Sequence, residues 1–199
     1  MCKKFSAFNC DLEKHFILIA ISLKVHTVGE RNDERQARGT KAWSVTHRKL
    51  YRRLAGWEKK SGFNRAQILY YLAENLELRR DEFASRIETL TGKSETDSRA
   101  EVDKAIQRLF YWASYADKYG GTVQETQLYG TVIKIHEPVG VIAIACPDDF
   151  PLLGFVSLFA PAIARSNSVV IVPSEKYPVL ALDLYQVFET SDLPGKVWK

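Results

Sequence analysis

Apolar and polar positions change rhythm along the chain, and the change separates a helical first half from a second half in which strands and helices alternate. In residues 43–57, Val45, Leu50, Leu54 and Trp57 recur at helical spacing between Arg48, Lys49, Arg52 and Arg53, which predicts an amphipathic helix with a basic outer side. A second helix follows, with Asn64 as N-cap and Ile68, Leu69, Leu72, Leu76 and Leu78 facing inward. Arg79-Arg80-Asp81 bends the chain, and a third helix over about 81–90 stops before Gly92, a suitable C-terminal cap. Ser98 and Glu101 have capping-box spacing and open a long helix. Its apolar positions, Val102, Ala105, Ile106, Leu109, Phe110, Ala113 and Ala116, keep the helical repeat to Tyr119, where Gly120-Gly121 ends it. Tyr111, Trp112, Tyr115 and Tyr119 read as core and helix-seam packing, with a stacking platform as the alternative.

Residues 122–127 and 129–137 gather β-formers around a turn and predict two extended segments. Residues 139–145 are then continuously apolar, too short for a helix and without the alternation of a half-wet strand, so they predict a strand buried on both faces. After the turn Cys146-Pro147-Asp148-Asp149-Phe150-Pro151, residues 152–165 are apolar almost all round and suit a helix packed on a parallel sheet, and residues 168–172 return as a strand. Such a β-α-β unit binds ligands outside the carboxyl ends of its strands, which places the candidate site at the turns 146–149 and 172–175. Another helix begins at Tyr177-Pro178, and Leu193-Pro194-Gly195 leads into Val197 and Trp198, the opening of a third strand.

The net charge of +4 is unevenly spread: residues 1–60 carry 14 Lys and Arg against 6 Asp and Glu, while residues 61–199 carry 14 against 18. A basic front fits either an anionic partner or a solvated helix face with a disordered arm; no aromatic and basic interleaving or nucleic-acid motif accompanies it, so nucleic acid is not an expected partner. Cys2, Cys10 and Cys146 are an odd number without metal-ligand spacing, and His15, His26, His47 and His136 show none either, so no disulfide framework or metal site is implied and a cytoplasmic location fits. The apolar stretch within residues 16–25 falls short of the ~20 residues that cross a bilayer. Asp11 and Glu13 before it argue against a signal peptide. Cys146 ends a buried strand with no basic neighbour to activate it, and reads as a core thiol. Asp148 and Asp149 could hold a divalent cation, but capping the helix that starts at Pro151 is the favoured role.

The segments E-P-V-G-V-I at 137–142, P-x-x-F-P-L at 147–152, A-P-A-I-A at 160–164, N-S-V-V at 167–170 and P-S-E at 173–175 resemble, in order and spacing, the aldehyde dehydrogenase superfamily. Residues 87–93 and 115–119 resemble two further landmarks, so the likeness runs from about Ala42 to the last residue. Cys146-Pro147-Asp148, Pro151-Leu152-Leu153 and Val172-Pro173-Ser174 are most similar to the second, degenerate module of aldehyde dehydrogenase family 16. The resemblance implies an α/β fold: an unassigned extension at 1–41, a helical lead-in at 42–121, oligomerisation strands at 122–137, and an incomplete Rossmann-like cofactor-binding portion at 138–199. The family is longer, and the chain reads as a fragment of it.

The same resemblance assigns the site. An Asn that donates to the oxyanion corresponds to Asp149, whose ionised carboxylate would repel a developing negative charge. Asp148 stands where the family usually has Trp, Val172 replaces the Lys that grips the adenosine ribose, and Glu175 survives; Ala145, Cys146, Pro147 and Ser174 complete the cofactor-side set. Lys176, one position beyond, need not point into the same site. The nucleophilic Cys and general-base Glu of the family fall downstream of Lys199. NAD(P) is therefore the implied cofactor, with weak or no binding expected. The expectation is a non-catalytic member acting through association, with itself or with a full-length aldehyde dehydrogenase subunit. The alternatives are an oxidoreductase module working with a complete catalytic half, and a basic front that binds nucleic acid or anionic surfaces.

Overall fold

A computed structural model describes residues 56–125, 127, 130–195, 197 and 198. The extension at 1–41 and all but the end of the helix expected at 43–57 lie outside the described residues. Three helices lead: α1 (Gly62–Leu78), α2 (Arg80–Thr91) and α3 (Glu95–Ala116). A hairpin of β1 (Thr122–Glu125) and β2 (Thr131–Lys134) follows, then β3 (Val141–Ala145), α4 (Pro151–Ala164), β4 (Ser168–Val172) and α5 (Pro178–Thr190).

The helix starts correct two sequence expectations. Ser61, extended at φ −60° and ψ 157°, caps α1 by accepting from the Asn64 N–H at 3.2 Å, so Asn64 lies in the first turn. Likewise Ser94 caps α3 through the Asp97 N–H at 3.1 Å, one turn before the expected Ser98. Ser98 is instead fully buried within the helix, and Glu101 is free for another task. The bend at Arg79 and the stop at Gly92, left-handed at φ 69°, fall where the residue types demand them. α3 ends at Ala116 rather than Tyr119.

α3 is the spine. Its inner residues Val102, Ala105, Leu109 and Ala113 are buried against α1, α2 and α4 in one continuous core with Leu69, Leu72, Leu76, Phe83 and Ile87. The outer aromatics are less buried than seam packing predicts: Tyr111 is 54% and Tyr119 40% exposed. They form a ladder, with Tyr111 stacked on Tyr115 at 6.0 Å, Tyr115 against Tyr119 at 5.3 Å and Tyr119 against His136 at 4.5 Å. The Arg165 guanidinium sits 3.3 Å over the Tyr119 ring and ties this ladder to the end of α4. Trp57, 2% exposed, joins the lead-in to the same end by donating from Nε1 to Ile163 O at 3.2 Å.

β3 and β4 pair in parallel, with Val141 opposite Ser168 and Ala145 opposite Val172, as the continuous apolar runs require. Asn167 locks this unit: its side chain accepts from Gly140 N at 3.0 Å and donates to Ala162 O at 3.0 Å, joining the start of β3 to the end of α4. Trp198 bridges Val169 in parallel, so the expected third strand opens beside β4. β1 and β2 pair antiparallel, shorter than the extended segments expected, and every residue of both is exposed.

Candidate functional site

The in-register pairing of Ala145 with Val172 brings the two strand ends side by side, and with them the turns that the sequence singled out. Cys146 N donates to Val172 O at 2.9 Å and extends the ladder by one bond. Cys146 is buried, and burial pushes its thiol up to about 12, so it is an inert core thiol at neutral pH. Pro147 is held by shape: a Cβ added at Gly154 would meet Pro147 Cγ at 2.5 Å, so only glycine at that position lets α4 approach the turn.

Asp148 bridges the two turns. Its Oδ1 accepts from Ser174 Oγ at 2.6 Å, and its Oδ2 pairs with Lys176 Nζ at 3.6 Å. The buried Ser174 hydroxyl also accepts from Tyr177 N at 3.2 Å, which fixes the entry to α5. Lys176 therefore does reach the site, because the chain reverses between β4 and α5 and folds it back over Asp148. Glu175 is exposed beside it, and Val172 is 59% exposed and offers no charge.

Neither aspartate caps α4, contrary to expectation. Phe150 is the N-cap residue and no side chain of the turn accepts from the helix start. Glu101, across the core on α3, takes that role: its Oε1 accepts from Leu152 N at 3.1 Å and Leu153 N at 3.3 Å. Its Oε2 binds Lys93 Nζ at 2.8 Å, and Lys93 in turn donates to Asp149 O at 2.8 Å and lies 4.2 Å from the Phe150 ring centroid. The pair thus grips the turn from behind and leaves the Asp149 side chain exposed to solvent. Sequence reasoning assigned no role to Lys93 and misread Glu101 as a cap of its own helix. The legible signal was a carboxylate on the inward side of α3, between Ser98, Val102 and Ala105, where a charge needs a partner.

Chemically, the turns present three carboxylates, Asp148, Asp149 and Glu175, with the Lys176 ammonium already paired and the Ser174 hydroxyl already donating. That arrangement opposes a pyrophosphate or an oxyanion at Asp149. Among the described residues no group of three His, Cys, Asp or Glu side chains could hold a metal ion, and no helix is long and apolar enough to cross a membrane.

Comparison with known proteins covers most of the chain. The family model "Aldehyde dehydrogenase family" matches residues 28–199. Betaine aldehyde dehydrogenase of Bacillus subtilis is 32% identical over 142 residues, which are 71% of this chain and 29% of that protein. The NADP/NAD-dependent aldehyde dehydrogenase PuuC of Escherichia coli is 36% identical over 143 residues, again 71% and 29%. The crystal structure of betaine aldehyde dehydrogenase from Staphylococcus aureus in complex with NAD+ superposes with a TM-score of 0.74 at 26% identity, covering 77% of this chain and 31% of that one. The chain spans less than a third of the length of these relatives.

Proposed function

Because this chain belongs to the aldehyde dehydrogenase family, we propose that it is a non-catalytic member of that oxidoreductase family which acts through association with other subunits. The carrying observation is the Asp148 bridge: the carboxylate engages both the Ser174 hydroxyl and the Lys176 ammonium, the two hydrogen-bond-donating side chains of this turn, and leaves only the Glu175 carboxylate exposed there. Val172, at the position where the resemblance places a ribose-gripping Lys, supplies nothing in exchange. Asp149, at the oxyanion position, carries the wrong charge for acyl transfer. The buried Cys146 thiol is no substitute nucleophile. The turn residues Cys146-Pro147-Asp148 support the finer placement with the degenerate second module of family 16.

Residues Ala145, Cys146, Pro147, Asp148, Val172, Ser174 and Glu175 lie where the family resemblance puts the NAD(P) site, and the carboxylates of Asp148 and Glu175 with the apolar Val172 do not favour its phosphates. A bound nicotinamide cofactor would supply hydride acceptance. Association is supported by the hairpin, where Val123 is 70%, Ile133 63% and the adjoining Ile135 73% exposed, an apolar ribbon that a second subunit would cover.

Calorimetry with NAD and an aldehyde-oxidation assay test the first half of this reading: no turnover and no low-micromolar binding are expected, and Val172→Lys should strengthen whatever binding exists. Turnover of a simple aldehyde by the purified chain overturns it. Sedimentation tests the second half, and a stable monomer at micromolar concentration counts against association.

A further inference from the structure

We propose that the cavity between β3 and α4 is a binding site for a free α-amino acid with a branched apolar side chain. The cavity holds about 250 Å3. An apolar cavity of roughly 150 Å3 already takes up a benzene-sized molecule, so this one has room for a side chain of that class. On the β3 side it is lined by Ile142 and Ile144, two residues apart and therefore on one face of the strand. On the α4 side it is lined by Leu158, Pro161 and Ala162, which share one face of the helix. None of the five carries a polar side-chain atom, so the interior selects an apolar group.

The polar residues of the lining, Glu137, Arg165 and Asn167, lie where β3 begins and α4 finishes. Asn167 is already engaged: its side chain accepts from Gly140 N at 3.0 Å and donates to Ala162 O at 3.0 Å and Arg165 O at 3.3 Å. Arg165 and Glu137 differ, for among the described residues neither joins an ion pair, with each other or with a third side chain. The Tyr119 ring, 3.3 Å from the Arg165 guanidinium, holds that cation in place without neutralising it. Arg65, at the same end, spends its guanidinium on the backbone carbonyls of Ala164, at 3.1 Å, and Lys60. The rim thus offers one uncompensated cation and one uncompensated anion beside an apolar interior. A zwitterion answers both: its carboxylate meets Arg165, its ammonium meets Glu137 and its side chain enters the cavity. An apolar acid would set its charge against Glu137, and an apolar amine would set its charge against Arg165. The site makes no use of the side chains of the NAD(P) turns and requires no chemical step, so its failure would leave the family reading untouched.

The test titrates the full chain, 15N-labelled and at low salt, with L-leucine and with three probes that each lack one part of it. The probes are 4-methylpentanoate, without the ammonium; 3-methylbutan-1-amine, without the carboxylate; and glycine, without the side chain. Leucine is expected to bind about tenfold more tightly than either single-charge analogue, and glycine more weakly than leucine by a similar margin of about tenfold. Amide shifts should concentrate on residues 137–144 and 158–167. Glu137→Gln should lower leucine affinity to about that of 4-methylpentanoate while leaving 4-methylpentanoate bound no more weakly than before, a pairing that simple loss of the fold does not produce. Glu137 is exposed, so the thermal midpoint should be unchanged. Equal affinity for leucine and its single-charge analogues, glycine binding as tightly as leucine, no binding of leucine, shifts centred on residues 172–176, or full leucine affinity in Glu137→Gln would each overturn the proposal.

Discussion

The Lys93–Glu101 pair lets the energetics of the candidate site be measured. The Glu101 side chain is 1% exposed and accepts three hydrogen bonds, two from the first amides of α4 and one from Lys93, whose own side chain is 24% exposed. Removing one partner of a buried pair costs about 3–5 kcal/mol when the survivor is stranded. In Lys93→Met the carboxylate keeps its two amide donors and some water can reach the vacated place, which lowers the expected loss to about 2–3 kcal/mol. In Glu101→Leu the ammonium can turn to solvent, but the Leu152 and Leu153 N–H groups are left buried without acceptors, for a loss of about 2–4 kcal/mol. The double variant has no charge left to strand, so it should lose no more than Glu101→Leu alone, a coupling of about 2 kcal/mol or more. Urea titrations with a common slope read these differences, and hydrogen exchange at Leu152 and Leu153 locates them. A Lys93→Met loss below about 0.5 kcal/mol, or single losses that simply add, would show that the pair does not hold the turn.

Cys146 carries a pH prediction. Its thiol lies at about 12 in the fold against 9.0 for the free group, so the fold favours the protonated form. The contribution stands in full below pH 9 and falls away as pH rises from 9 toward about 12; in a Cys2→Ser, Cys10→Ser background, Cys146→Ala should remove that alkaline component of the stability curve, and a disulfide reagent at pH 8 should label Cys146 only as fast as the chain opens. Gly154→Ala should cost about 1–3 kcal/mol, because its Cβ would stand 2.5 Å from Pro147 Cγ and one of the two elements must shift; amide shifts at residues 146–150 would report the displaced turn, and a spectrum unchanged there would contradict the packing. Trp57→Phe keeps most of the ring and removes the bond to Ile163 O, so thermal unfolding should show a loss of about 1–2 kcal/mol; no change would mean that the lead-in is not anchored at the end of α4.

What the sequence determined by itself was local or periodic. The apolar runs that became β3 and β4, the wholly apolar α4 and the stop at Gly92 follow from spacing and from what glycine permits, information carried within a few residues. The meeting of the two candidate turns was also legible, because a parallel pair in register must bring its two carboxyl-end turns together. The identities of the altered residues, Asp148, Asp149 and Val172, needed only the family pattern for contrast. The tertiary structure decided how those turns are held. Sequence proximity points to Asp148 and Asp149 as the cap, but Glu101 lies 51 residues before Leu152 and reaches its amide only because α3 packs against α4. By sequence position Lys176 need not point into the same site, yet the reversal into α5 brings it to Asp148. In both cases a polar group's partner is chosen by distance through the fold, and a one-dimensional pattern records only that such a group needs one.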